Sequence, residues 1–553
     1  MKIDKIAPYL SQSSGKDFDL EVFNPSSSET RLKDGREILY NIVDVEGIYA
    51  AGKFKEKVNE LLNELNDLDT EKALNAASEL RELFSYDINL NDENFKTVKE
   101  AMILIVNGFL LNKNKDDKLR ARLVLVLGKI AHLITKKLDD QNPLVREKTI
   151  KMFNSIIWVF SCILKDDEEL SMVKSNTTKA LDYMCLSSIP KLIDTMSDEN
   201  EQVKINAKVV VSNIITALVK IIKSKQRTES MQENVVSVLS RIGIAAVPEL
   251  SQLLSSRDKE TCITAARVIR NIGWKAQGAI PELINALENR DEEIREAVID
   301  ALVNIGQATA VAVIERLDKD ETCYPRNLLI AKGMIDVLRK IGKKDYAQNI
   351  KGEASRAVAN FLWHCMKNQT KDGTLMGQYR ELMRLSAELL GGWESSAGSA
   401  YNTLENIFKV DKKDKEGNKN LNINAELVNF TPVLDAAACA MVKINQHEAV
   451  KYFLNNKDTE KLIKEDSKKL HAVVFAFGEV KSPPLEVVNY LIKALDAQEY
   501  FTRKTAVQSL GKLGSSAKTA LPALKELYDG RYKNHDDMKD TIKIAIGSIK
   551  NNR

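Results

Sequence analysis

Glycine and proline are scarce in this 553-residue chain, at 24 and 11 residues, and aromatic residues make up only 6 %. So few chain-breakers and large rings argue against a β-sandwich, and the plentiful Leu, Ile, Ala and Val suit thin layers packed helix on helix. A charge excess is also missing: 81 Lys plus Arg stand against 78 Asp plus Glu, a formal net of +3. A chain built to neutralise many phosphates carries a clear basic surplus, so no global electrostatic case for nucleic acid exists. The cysteines, Cys162, Cys185, Cys262, Cys323, Cys365 and Cys439, form no CxxC pair and read as buried reduced thiols. Residues 1–10 hold no signal-peptide core, and Lys220 interrupts the nearest approach to a membrane span, Ile214–Ile222. A cytoplasmic location is expected.

The length, by contrast, is large. One compact core stops growing near roughly 250–300 residues, so the chain is several domains or a repeat array. Hydrophobic and charged contents of 44 % and 29 % are those of a folded soluble protein. Self-similarity decides between the two. Pro248, Asp258 and Gly273 recur at Pro281, Asp291 and Gly306, each 33 positions on. Pro281 fits the first turn of a helix, where its missing N–H leaves nothing unpaired. Leu283, Ile284 and Leu287 then give one apolar face. Asp291 sits where a carboxylate caps the next helix, whose stripe is Ile294, Val298, Ala301, Leu302 and Ile305. Gly306 closes it in a left-handed conformation. Such a hairpin exposes apolar surface on both sides and is stable only when stacked.

The pattern returns near the C-terminus, from Pro483 through Gly514 and Pro522 to Ile549. Upstream, Ile189–Ile193 with Asp198 and Val203 has the same grammar, as does Asp140–Arg146 with Ile150 and Phe153. Weaker copies run from Asp116 to Gly128 and from Asp69 to Leu83. These residues resemble HEAT repeats, in particular the phycobilisome-lyase-like kind. The resemblance is specific over 246–306 and 483–527, degenerate over 57–245 and poor over 343–482. It implies an all-α fold, a curved α-α superhelix of roughly ten helix pairs whose second helices line the concave surface. The expected organisation is an irregular N-terminal arm or cap at 1–45, with a short strand at Phe18–Phe23. HEAT-like repeats follow at 46–342, then an irregular helical insertion at 343–425. Within it lie helices Ala354–Met366 and Gln378–Leu390, the second ended by Gly391 and Gly392, and a charged loop at 409–422. C-terminal HEAT-like repeats fill 426–553.

Catalytic and metal signatures do not emerge. His132, His364, His447, His471 and His535 pair with no His, Cys or carboxylate at helical metal spacing. The single His447-Glu448 dipeptide falls short of the several found in helical-repeat deoxyhypusine hydroxylases, and no phosphate loop or GxSxG occurs. Lys204, Lys208, Lys220, Lys223, Lys225 and Arg227 form the densest basic stretch, with Glu199, Glu201 and Glu229 close by; a solvated face is the reading preferred to a phosphate track. Arg295, Arg503 and Arg146 occupy equivalent positions expected to bridge neighbouring repeats. Partner contact is assigned to polar positions of second helices away from the stripe, Arg267, Arg270, Asn271, Asp300 and Asn304, and to Trp274 after a helix-ending glycine, for which packing between repeats is the equal alternative. The function expected is a non-catalytic scaffold for protein or peptide partners, without metal, cofactor or membrane span. A chromophore-lyase subunit and a nucleic-acid binder are the alternatives.

Overall fold

The computed structural model describes residues 53–551 apart from short breaks, the longest being 111–115, 319–327, 410–429 and 456–466. The N-terminal arm with its strand, and the charged loop beyond Lys409, lie outside the described residues. Among the described residues there is no strand. The chain divides into two compact units, one ending at Ala279 and one beginning at Ile280.

The first unit holds α1 (Phe54–Glu64), α2 (Thr70–Leu83), α3 (Asp92–Ile105), α4 (Asp117–Ile134), α5 (Pro143–Lys165), α6 (Ser171–Thr195), α7 (Glu201–Lys223), α8 (Glu229–Ile242), α9 (Val247–Leu253) and α10 (Lys259–Ile272). The second holds α11 (Ile280–Ala286), α12 (Glu292–Ile305), α13 (Gln307–Leu317), α14 (Leu328–Ile341), α15 (Gln348–Lys367), α16 (Gly373–Gly392), α17 (Tyr401–Lys409) and α18 (Thr431–Ile444). It continues with α19 (Gln446–Asn455), α20 (Ser467–Phe477), α21 (Leu485–Ala494), α22 (Tyr500–Lys512), α23 (Leu521–Asp529) and α24 (Asp536–Lys550). Taken in pairs, the described helices form five hairpins and seven, twelve among the described residues where roughly ten are expected.

Within each unit, every even-numbered helix packs on the next even-numbered one, and the odd-numbered helices form a second layer. The interior between the layers is aliphatic: Ala265, Val268, Ile269, Val298 and Leu302 are completely buried. Each hairpin thus shelters its apolar side against its neighbours, as a repeat stack requires.

Caps set the turns from odd to even helices. Asp258 accepts from the Thr261 N–H at 3.0 Å, and Asp291 from those of Glu293 and Ile294. A second side chain two residues earlier holds the cap itself: Asn289 accepts from the Asp291 N–H at 2.9 Å and Ser256 from that of Asp258 at 3.2 Å. At the opposite edge α8, α10 and α12 end in glycine. Gly273 has φ 66, ψ −139 and Gly306 has φ 89, ψ −132. The positive φ is as expected, but these ψ values lie outside the left-handed helical region, where any residue with a Cβ is disfavoured more strongly still.

One expectation is corrected. Pro190 opens no helix; it lies inside the 25-residue α6. No glycine occurs between Tyr183 and Pro190, so nothing breaks the even helix at its usual end. The caps Asn142 and Asn200 accordingly open the odd-numbered α5 and α7, not even helices as at Asp258. Gly391 and Gly392 do end α16, as its last two residues, although neither takes the positive φ of Gly273 or Gly306. A Cβ on Gly391 would stand 2.9 Å from the Ala440 Cα of α18, so this glycine serves close approach of two helices. The 3-10 segment that follows, Glu394–Ala400, matches Gly273–Ala279 and Gly514–Ala520, with the same non-helical alanine at Ala397, Ala276 and Ala517. Glu394 takes the glycine position, at φ 48.

Candidate functional site

Counting from the residue before each even-numbered helix gives its positions one common register. The sixth position joins neighbours. Arg122 of α4 donates to the Leu74 carbonyl and Ser78 hydroxyl of α2 at 3.1 and 2.9 Å. Asn176 of α6 reaches the Ala121 carbonyl at 2.9 Å, and Asn234 of α8 the Thr178 hydroxyl at 3.4 Å. These rungs fix the spacing of the layer.

In most even-numbered helices the ninth, twelfth and thirteenth positions face outward, with Gly128, Leu385, Val442 and Gly478 as buried exceptions. The ninth carries Ser78, Leu125, Lys179, Ser237, Arg267, Asp300, Asp336, Glu381, Cys439, Phe475, Gln508 and Ile544 in turn. Identity varies freely here, whereas the positions packed between the layers are mostly aliphatic. Arg267, Arg270, Asn271 and Trp274 lie on this surface of α10 and the turn after it, all exposed, with Trp274 at 66 %. In the second unit Asn304 is exposed and Asp300 half-buried. The Lys340 ammonium, one repeat on, donates to Asp300 at 2.8 Å. Arg241 to Asp182 and Lys512 to Glu479 cross between even helices in the same way, each at 2.8 Å. These ion pairs are part of why the charges balance. Sequence reading missed Lys129, Tyr183 and Arg241 at the thirteenth position of α4, α6 and α8; at α6 the residue before the helix is Leu170, which gives no cap from which to count.

The three arginines act chiefly within their own turns. Arg146, Arg295 and Arg503 each donate to two carbonyls five and six residues earlier; for Arg295 these are Arg290 at 2.8 Å and Asn289 at 2.9 Å. Carbonyls there have no helical partner, which is the physical reason for the clamp. Arg146 also reaches Asp198 at 2.9 Å, and Arg503 also donates to the Tyr532 hydroxyl of the next hairpin. Burial pushes the Asp198 carboxyl up, but hydrogen bonds from Arg146 and the Asn200 N–H hold it below its ordinary value. Cys262 takes the clamp position in α10, its thiol 3.1 Å from the Ser256 carbonyl.

Groups with chemical potential are engaged in packing. His471 of α20 sits between Asp435 of α18, 3.1 Å from Nδ1, and Thr505 of α22, 3.0 Å from Nε2. Base, orienting carboxylate and hydroxyl are thus aligned, yet Thr505 is the sixth-position rung of its helix and is buried. The arrangement joins three successive repeats. Burial, with Glu479 adding to it, pushes the Cys439 thiol up to about 12, which leaves it protonated and unreactive. No cluster of three or more His, Cys, Asp or Glu that could hold a metal occurs among the described residues. Of the basic stretch, Lys204 pairs with Glu201 at 3.1 Å, and Lys225 and Arg227 lie outside the described residues. The helix that carries it, Glu201–Lys223, is the described helix long and apolar enough to cross a membrane. Val203, Ala207, Val210 and Ile214 are nonetheless fully buried on its packed side.

Residues 247–331 and 457–534 match the family model for HEAT repeats. No curated protein matches the chain. Among solved structures, importin beta crystallised in a polyethylene glycol condition is similar over 91 % of this chain and 78 % of its own, at 12 % identity and a TM-score of 0.35. Kap121p bound to Pho4p is similar over 91 % and 68 %, at 11 % identity and a TM-score of 0.31. At such scores neither likeness carries weight for function.

Proposed function

For a chain that is a HEAT-repeat helical-solenoid protein, we propose a role as a non-catalytic scaffold that binds protein or peptide partners through the outward positions of its even-numbered helices. The observation that supports this reading is the separation of duties along each helix. Inward and sixth positions are committed to the stack, while the ninth, twelfth and thirteenth change in identity from repeat to repeat, some of them also pairing with the neighbouring helix. Arg267, Arg270, Asn271 and Trp274 in the first unit, and Asp300 and Asn304 in the second, are the contact residues proposed. A photo-crosslinking side chain placed at Arg267 or Asn304 captures a protein partner from the native source, whereas one at Lys208, on the odd-numbered α7, does not. Equal labelling from both layers would end the proposal, as would turnover of a small molecule with no partner captured. The lyase-like subtype would bring a bound pigment, and a visible absorption band in purified protein is its test.

A further inference from the structure

We infer that the first unit docks an extended acidic segment of its partner across the C-terminal halves of α4, α6, α8 and α10. This deepens the scaffold reading and rests on it. From the ninth to the seventeenth position those four helices and the turns after them carry Lys129, Lys179, Arg241, Arg267, Arg270 and Lys275. The one carboxylate in the same windows is Asp182, already shared by Arg241 at 2.8 Å and the Ser237 hydroxyl at 3.0 Å. Six cations less one anion leave five positive charges in this band, more than the +3 of the whole chain. The other ends of α8 and α10 carry Glu229, Glu233 and Glu260. At α8 and α10 the band is therefore bordered by negative charge, and it spans eight helical steps, or about 12 Å.

That width suits one extended chain. Neighbouring helices lie roughly 8–10 Å apart, and an extended peptide rises about 3.3 Å per residue, so every third residue meets a helix. About ten residues then cross from α4 to α10. At the end of the band Ile244 and Trp274 occupy the same register in successive repeats, each 66 % exposed, on 3-10 segments that touch. They offer an apolar anchor beside the charges. A single-stranded nucleic acid is disfavoured because it needs open aromatic faces. The Lys129 Nζ lies 3.6 Å over the Tyr183 ring and the His132 ring packs against it at 5.1 Å, which leaves Trp274 alone for stacking.

The test uses the full chain and a fluorescein-labelled ten-residue peptide with glutamate at every third position and a terminal leucine. A glutamine version and a ten-nucleotide uridylate RNA run beside it. The expected result is binding of the glutamate peptide, weakened at least tenfold in the Arg267→Glu, Arg270→Glu double variant and about threefold in Trp274→Ala. Lys208→Glu, on the other layer, leaves it unchanged. Thermal unfolding of each variant shows that it is folded, and Trp274→Ala decides should the double variant not be. Binding of the RNA as tightly as the glutamate peptide, or equal binding of the glutamine version, would overturn the inference. So would no binding of the glutamate peptide at all. Cross-linking to a native protein partner separates the two failures: a partner held equally by wild type and the folded variants sinks the acidic band alone, and no partner for wild type sinks the scaffold reading as well.

Discussion

A change of one residue at a helix end has opposite signs at two equivalent positions. Gly273, at φ 66 and ψ −139, has no clash to avoid because it has no Cβ. Gly273→Ala is expected to lower stability by about 1–3 kcal/mol, read from urea unfolding. Glu394 bears the strain that glycine escapes, so Glu394→Gly is expected to raise stability by roughly 1 kcal/mol in the same assay. The cap and glycine of the 33-residue copies were legible from sequence; Glu394 was not, since its identity hides the backbone it adopts. Arg120 was equally hidden. Its guanidinium meets both Glu169 oxygens, at 2.8 and 2.6 Å, with both side chains almost fully buried. Removing one partner strands the other charge, so Arg120→Met should cost about 3–5 kcal/mol, and an unchanged melting curve would refute this. At Asp336, burial pushes the carboxyl pKa up despite Arg339, Lys332 and Lys340. A raised folded pKa means stability is greatest with the group protonated and falls as pH rises through that value. Asp336→Asn is therefore expected to stabilise at pH 7 and to have little effect near pH 3.

Among the elements, α16 shows why propensity alone misleads. Glycine inside a helix costs about 1 kcal/mol relative to alanine, so Gly391→Ala would stabilise an isolated helix. In the stack its Cβ would press on the Ala440 backbone at 2.9 Å, and Gly511 stands in the same relation to Ala545. Overpacking of this kind costs about 1–3 kcal/mol, so a net loss is expected, with faster amide exchange in α18; a gain in stability would show that the helices separate freely. The helix ends at these glycines as expected, but the contact that Gly391 makes is not legible in the sequence, because the residue it accommodates is more than 40 positions away. Pro190 is the converse case. It looked like a helix opener, but an opener needs a preceding break, and none is present in α6.

On the scale of the whole molecule, acid sensitivity follows from ion pairs that join neighbouring hairpins. Asp198 is held low against its burial by Arg146 and the Asn200 N–H, and Glu479 chiefly by its hydrogen bond from Lys512. A depressed folded pKa contributes stability that is present above the ordinary carboxylate value and lost as pH falls through the folded one. The melting temperature is thus expected to hold above pH 5 and to fall steeply below about pH 4. Arg146→Met should flatten that fall, since without the guanidinium Asp198 titrates nearer its ordinary value; an unaltered profile would remove this pair from the account. Many such links, each between neighbours, are what a stack offers in place of one central core.

Sequence alone determined that this chain is a helical-repeat stack, because the 33-residue spacing of Pro248, Asp258 and Gly273 is written in the backbone needs of helix entry, cap and exit. It also marked the outward side of α10, where Arg267, Arg270 and Asn271 stand off the apolar stripe. Tertiary structure decided which helix of a pair each degenerate copy becomes, which helix-ending glycine is also a place of contact, and which charges gather on one face. Those outcomes depend on distances between residues a repeat apart. A periodic pattern fixes angles around one helix axis, but it carries no information about what lies across from it.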